Sequence, residues 1–191
     1  MEMFAEKKNK IFDLMKADFG YKNVMQAPKI EKIIVSVGTG SVNDKNKIAL
    51  IEDRITKITG QKPSARKAKK SIAAFKLREG TEIGYQVTMR GERMGSFFDK
   101  MVNIALPRTK DFRGLSRKSV DSIGNYTLGL RDHTIFTEAS DEELKNVFGM
   151  SITIVTTAKS KEEAIALLSN MGWPFKKEAD DTVGKKVRKK K

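Results

Sequence analysis

Cysteine is absent from the 191 residues, and histidine and tryptophan occur once each. Without cysteine there is no disulfide framework, no Cys-ligated zinc site, no iron–sulfur cluster and no thiol nucleophile. A single histidine excludes a multi-histidine metal site and a two-histidine acid–base pair. No apolar run approaches the roughly 18 residues that a membrane-spanning helix needs. The amino-terminal stretch MEMFAEKKNK lacks the apolar centre of a signal peptide and carries acids that transit peptides avoid. The expectation from these absences is a soluble, cytoplasmic protein without cofactor, metal or membrane attachment. Its length suits one domain, or at most two small ones.

What the chain has in excess is positive charge: 38 Lys and Arg against 24 Asp and Glu, a net +14. The excess is segregated. Residues 60–118 hold 15 Lys and Arg against 5 acids, and the last eight residues, GKKVRKKK, hold six Lys and Arg and no acid. The remaining 124 residues hold 17 basic and 19 acidic side chains, close to neutral. Solubility alone does not require segregation, whereas a polyanion partner rewards it, because clustered cations attract phosphates and release counterions. Nucleic acid is the expected partner. A membrane-surface helix would interleave cations with a broad apolar face, and Gln61-Lys62-Pro63-Ser64-Ala65-Arg66-Lys67-Ala68-Lys69-Lys70-Ser71 has none.

Hydrophobic periodicity outlines the elements. Phe4, Ile11, Phe12, Leu14, Met15 and Phe19 fall at broadly helical spacing over 3–19, and Gly20 ends the run. A strand is expected over Lys29–Gly38, with Ile33, Val35 and Val37 on one side and Ile30, Lys32, Ile34 and Ser36 on the other. Ile48, Ile51, Ile55 and Ile58 form a helical stripe, with Asn43 or Asp44 as N-cap and Gly60 at the end. Ile83, Tyr85, Val87 and Met89 alternate with Gly84, Gln86, Thr88 and Arg90, the mark of a half-buried strand. Met94, Phe97, Phe98, Met101, Val102 and Ala105 predict a helix stopped by Pro107. Tyr126–Leu130 and Met150–Thr157 read as strands. Ser160-Lys161-Glu162-Glu163 is a capping box opening a helix with Ala164, Leu167, Leu168 and Met171 inward. A hairpin is expected near Glu79-Gly80-Thr81. The fold class is therefore α+β: a largely antiparallel sheet with helices packed on one face and the other face open. One domain over 1–175 is expected, followed by a basic, disordered tail over 176–191.

No catalytic constellation emerges. Gly38-Thr39-Gly40 lacks the third glycine of a dinucleotide loop and no P-loop follows, so it reads as a turn. His133 reads as a surface or interface histidine. Asp141-Glu142-Glu143 and Glu162-Glu163 are acids at helix starts, favoured by the macrodipole. Trp173 and Phe175 read as core. Phe75 lies between Lys69-Lys70 and Lys76-Arg78, and two readings stand side by side: an aromatic that touches a base among backbone-gripping cations, or a residue folded back onto the core.

The blocks Thr59–Pro63, Lys67–Gly80, Val87–Met94, Asn103–Arg108, Asp111–Leu115, Gly124–Gly129 and Gly149–Ala158 together resemble the bacterial large-subunit ribosomal protein L5 family, in order, from about Asn23 to Phe175. The resemblance implies a non-catalytic constituent of the central protuberance that binds 5S rRNA through the open face of its sheet. It implies rRNA contacts at Ser36, Gln61, Lys62, Thr88 and Arg90, and a peptidyl-site tRNA contact by a loop carrying Lys69, Lys70, Ser71, Phe75, Lys76 and Arg78. At Ser36 this chain departs from the asparagine usual in the family. Loops around 108–118 and 132–148 fit contacts with large-subunit rRNA and with neighbouring ribosomal proteins, the small-subunit head included.

Overall fold

The computed structural model describes residues 4–42, 44–139 and 146–176. Among the described residues four α-helices and five strands follow one another: α1 (Phe4–Phe19), β1 (Ile30–Gly38), α2 (Lys45–Thr59), β2 (Ser64–Lys67), β3 (Glu82–Met89), α3 (Gly91–Lys100), β4 (Tyr126–Leu130), β5 (Met150–Thr156) and α4 (Lys161–Asn170). A single π-turn, Met101–Ala105, prolongs α3. The sheet has the order β2-β3-β1-β5-β4, and β3 runs antiparallel to both β1 and β2. This is the expected α+β class. Within it the described residues form two compact units, one drawn from residues 4–31, 98–127 and 154–176, the other from the described residues of 32–97 and 128–153.

The second unit carries the candidate interface. Ile33, Val35, Val37, Tyr85, Val87 and Met89 are all buried, the consequence of period-two alternation in two paired strands. Ile51, Ile55 and Ile58 of α2 are 1% exposed, and α2 packs against β3. Fully burying each such side chain contributes roughly 1.5–3 kcal/mol. The bounds of α2 follow local chemistry. The Asp44 carboxylate accepts the Asn46 N–H at 2.9 Å, and Gly60 takes the left-handed conformation at φ 67°, its N–H returning to the Thr56 carbonyl. Gly84 serves a close approach: a Cβ there would stand 2.7 Å from the Val37 carbonyl oxygen.

In the first unit α1 packs on α4. Ile11 and Met15 are buried, but Leu14 is exposed, so the inward stripe of α1 is narrower than its spacing suggested. Ile30, expected on the open side of its strand, is buried. Ser160 caps α4 by accepting the Glu163 N–H at 3.2 Å, while the Glu163 carboxylate takes the Lys159 N–H and the Tyr21 hydroxyl. Trp173 is buried, its ring edge-on to Tyr126 at 5.3 Å and tilted against Phe98 at 5.5 Å, as expected of a core aromatic.

Two corrections arise here. β2 was not anticipated; it lies within the basic stretch that offered no apolar pattern. His133 is not a surface residue: it is fully buried, stacked on Phe148 at 3.9 Å, and its Nδ1 accepts the Phe148 N–H at 3.3 Å.

Candidate nucleic-acid interface

The register of three strands builds the face. Ser36 of β1 stands opposite Gln86 of β3, Ile34 opposite Thr88, and Ser64 of β2 opposite Gln86 from the other side. Side chains directly opposite share a face, so Ser36, Gln86 and Ser64 form one row and Thr88 the next. Ser36, Gln86 and Thr88 are partly exposed and Ser64 is exposed. Their strand neighbours Val35, Val87 and Met89, turned the other way, are at most 1% exposed. The sheet therefore has an apolar covered side and a polar accessible one. Ser36 is not alone in its row: its hydroxyl lies 2.7 Å from that of Ser151 on β5.

The remaining members of the patch gather by topology. Because β2 and β3 are antiparallel, the chain entering β2 lies beside the exit end of β3. Gln61 and Lys62 precede β2, and Arg90 follows β3, so these residues share an end of the sheet with Thr88. Gln61 is held just past the end of α2, its carbonyl accepting the Thr59 hydroxyl at 3.0 Å. Arg90 is exposed and forms no salt bridge among the described residues. Lys62 is also exposed, with its Nζ 3.7 Å from the Glu52 carboxylate, a distance at which an exposed pair contributes little. All five sequence-predicted rRNA contacts thus fall on or beside one face.

The connection between β2 and β3 is a second feature. Its base closes where the Ala68 N–H reaches the Thr81 carbonyl at 2.8 Å and the Gly80 N–H returns to the Ala68 carbonyl at 3.0 Å. Its tip closes where Ile72 and Leu77 exchange backbone hydrogen bonds of 2.9 and 3.1 Å. Between them the Ser71 hydroxyl accepts the Glu79 N–H at 2.9 Å. The loop is therefore a braced arm. Phe75 sits in its terminal turn, 77% exposed, which decides between the two readings in favour of an outward aromatic. Lys69, Lys70, Ser71, Lys76 and Arg78 are all exposed, and the four cations have no ion-pair partner among the described residues. β3 has eight residues, about 27 Å at strand rise, and it separates the arm from Arg90.

Three members of the face escaped the sequence reading as contacts. Gln86 carried a signal, since it alternates in step with Thr88. Ser64 and Ser151 carried none, because their alignment with Ser36 is a matter of strand register, which one sequence does not display. Among the described residues no group of three or more metal-ligating side chains occurs, and no helix is long and apolar enough to cross a membrane. Gly38 ends β1, and the expected turn follows it over residues 39–42, closed by the Val42 N–H on the Thr39 carbonyl. Asp141-Glu142-Glu143, part of the 132–148 loop, and the tail beyond Lys176 lie outside the described residues.

Two family descriptions match the chain in succession: ribosomal protein L5 over residues 23–78, and the ribosomal L5 family C-terminus over residues 82–175. The large ribosomal subunit protein uL5 of Moorella thermoacetica is 52% identical over 164 residues, 85% of this chain and 91% of that protein. The protein of the same name in Desulforamulus reducens is 55% identical over 161 residues, 83% of this chain and 88% of its own length.

Proposed function

Because the chain belongs to the ribosomal protein L5 family, we propose that it binds 5S rRNA through the open side of β1 and β3. As a family member it is a structural, non-enzymatic constituent of the large ribosomal subunit, working in the ribosome in the cytoplasm. The binding mode is a division between affinity and register. Arg90 and Lys62 neutralise phosphates and release counterions, a sequence-independent contribution. Ser36, Gln61 and Thr88 offer neutral donors and acceptors to sugar and base edges, which fix where the RNA sits. The arm, with four cations around an exposed phenylalanine, reaches peptidyl-site tRNA. Loops around 108–118 and 132–148 meet large-subunit rRNA and the small-subunit head from the central protuberance.

The observation that carries this reading is the burial contrast across β3, with Thr88 partly exposed beside Val87 and Met89 at 1% and 0%. A sheet covered on both sides would not show it. Filter-binding titrations of 5S rRNA at several salt concentrations test it. Arg90→Ala is expected to weaken binding about tenfold and to flatten the dependence of log K on log salt by about one unit. Unchanged affinity at every salt concentration would remove the sheet face as the site.

A further inference from the structure

The geometry points to a neutral, 2′-hydroxyl-reading row on the sheet face: Ser64, Gln86, Ser36 and Ser151, one residue from each of the adjacent strands β2, β3, β1 and β5. The inference rests on the proposal that this face binds RNA, and it names what part of the RNA the centre of the face reads. The row is set by register on one side of Ser36 and by the 2.7 Å hydroxyl pair with Ser151 on the other. At ordinary strand spacing four residues in line span about 14 Å, the length of a few nucleotides.

None of the four is charged, so the row releases no counterions, and a phosphate would use only its donors and leave its acceptors unused. Its chemistry matches a group that both donates and accepts. Each serine hydroxyl has one donor hydrogen and two lone pairs, and the Gln86 amide has both functions on separate atoms. In the Ser36–Ser151 pair one hydrogen is consumed between the two oxygens. The accepting serine still has its own O–H to give outward, and lone pairs remain on both. The pair therefore presents one outward donor, on whichever serine accepts, beside lone pairs on both oxygens. A ribose 2′-hydroxyl, donor and acceptor at once, complements that arrangement, and a deoxyribose does not. Small side chains also let a sugar edge come close to the sheet. On this reading Arg90 supplies affinity at the exit end of β3 and the row supplies discrimination of RNA from DNA.

The alternative role for the pair is a cross-strand hydroxyl contact that only steadies the sheet. The two roles separate in one experiment on the full chain. The 5S rRNA nucleotides that the protein protects from hydroxyl-radical cleavage are resynthesised with 2′-deoxyribose, and both RNAs are titrated against wild type and Ser36→Ala/Ser151→Ala. The row predicts that wild type binds the substituted RNA five- to tenfold more weakly. The double variant binds unmodified RNA that much more weakly, no longer distinguishes the two, and keeps the wild-type salt slope. Ser151→Thr, which retains the hydroxyl, is expected to retain discrimination, and it guards against a folding defect in the double variant. Equal losses on both RNAs by the double variant, with a lowered unfolding midpoint, would assign the pair to the sheet alone and overturn the inference. Tight binding by wild type that ignores the 2′ substitution would overturn the row and leave the face as the RNA site; no binding to 5S rRNA would overturn both.

Discussion

Tyr21 donates its hydroxyl to the Glu163 carboxylate, and its pKa is pushed above the ordinary tyrosine range, by burial first and then by the Glu163 hydrogen bond and charge. A folded-state pKa raised in this way favours the protonated, neutral phenol in the native chain. The associated stability is complete below the unfolded value near 10 and declines as pH rises above it, when the unfolded chain ionises first. Chemical denaturation of wild type and Tyr21→Phe between pH 7 and pH 11 is expected to show a constant stability difference up to about pH 9.5, shrinking above that. A difference that stays flat through pH 11 would mean the hydroxyl is not coupled to folding. Nothing in the sequence announced this pair, since the partners are 142 residues apart. His133 makes a similar point: a lone histidine without catalytic partners read as a surface or interface residue, while stacking on Phe148 and an acceptor role toward its N–H keep the ring buried. The backbone hydrogen taken by Nδ1 satisfies that ring nitrogen in the interior. His133→Leu is expected to destabilise the chain by about 1–3 kcal/mol, because it strands that buried N–H, a loss measurable by urea titration.

Elements were legible where burial imposed a period. The isoleucine stripe of α2, the alternation of β3 and the capping serine of α4 each tie one face to a core, so composition and spacing agree. β2 was illegible for the complementary reason. Ser64-Ala65-Arg66-Lys67 lies at the edge of the sheet and pairs with β3 alone. Its side chains are mostly exposed, and charges on an edge strand oppose unwanted pairing; no apolar alternation is required of it. The arm that β2 and β3 support is the element with the most separable function. Its hydrogen bonds are internal, so removing charge from its surface leaves the face around Thr88 and Arg90 undisturbed. Lys69→Ala/Lys70→Ala/Lys76→Ala is expected to hold 5S rRNA affinity within about threefold and to weaken peptidyl-site tRNA binding by ribosomes that carry it, with Phe75→Ala adding a further loss through base stacking. Collapse of 5S rRNA binding with intact tRNA binding would reverse the assignment of the two features.

At the scale of the whole molecule the sequence displayed its electrostatics directly, because net charge and its segregation need no fold to be read. What composition does not show is which cations act at a defined place. Those of residues 60–118 include the arm and the edge of the sheet face, so they are positioned by backbone hydrogen bonds and register. Beyond Lys176 the sequence carries seven more Lys and Arg against three acids. The preceding chain is already fastened: the Lys176 N–H donates to the Leu115 carbonyl at 2.9 Å, and Leu115 in turn donates to the Pro174 carbonyl at 2.8 Å. Truncation after Lys176 should therefore leave the unfolding midpoint unchanged. It should flatten the salt dependence of binding to 5S rRNA and to an unrelated RNA of equal length by the same amount, because phosphate neutralisation is indifferent to sequence. The ratio of the two affinities is then expected to stay within about threefold of wild type, since discrimination depends on contacts to sugars and bases rather than on summed charge. Titrating both RNAs against the truncated and full chains at four salt concentrations checks this. A ratio that falls tenfold or more would move specificity out of the sheet face and into the carboxy-terminal charge.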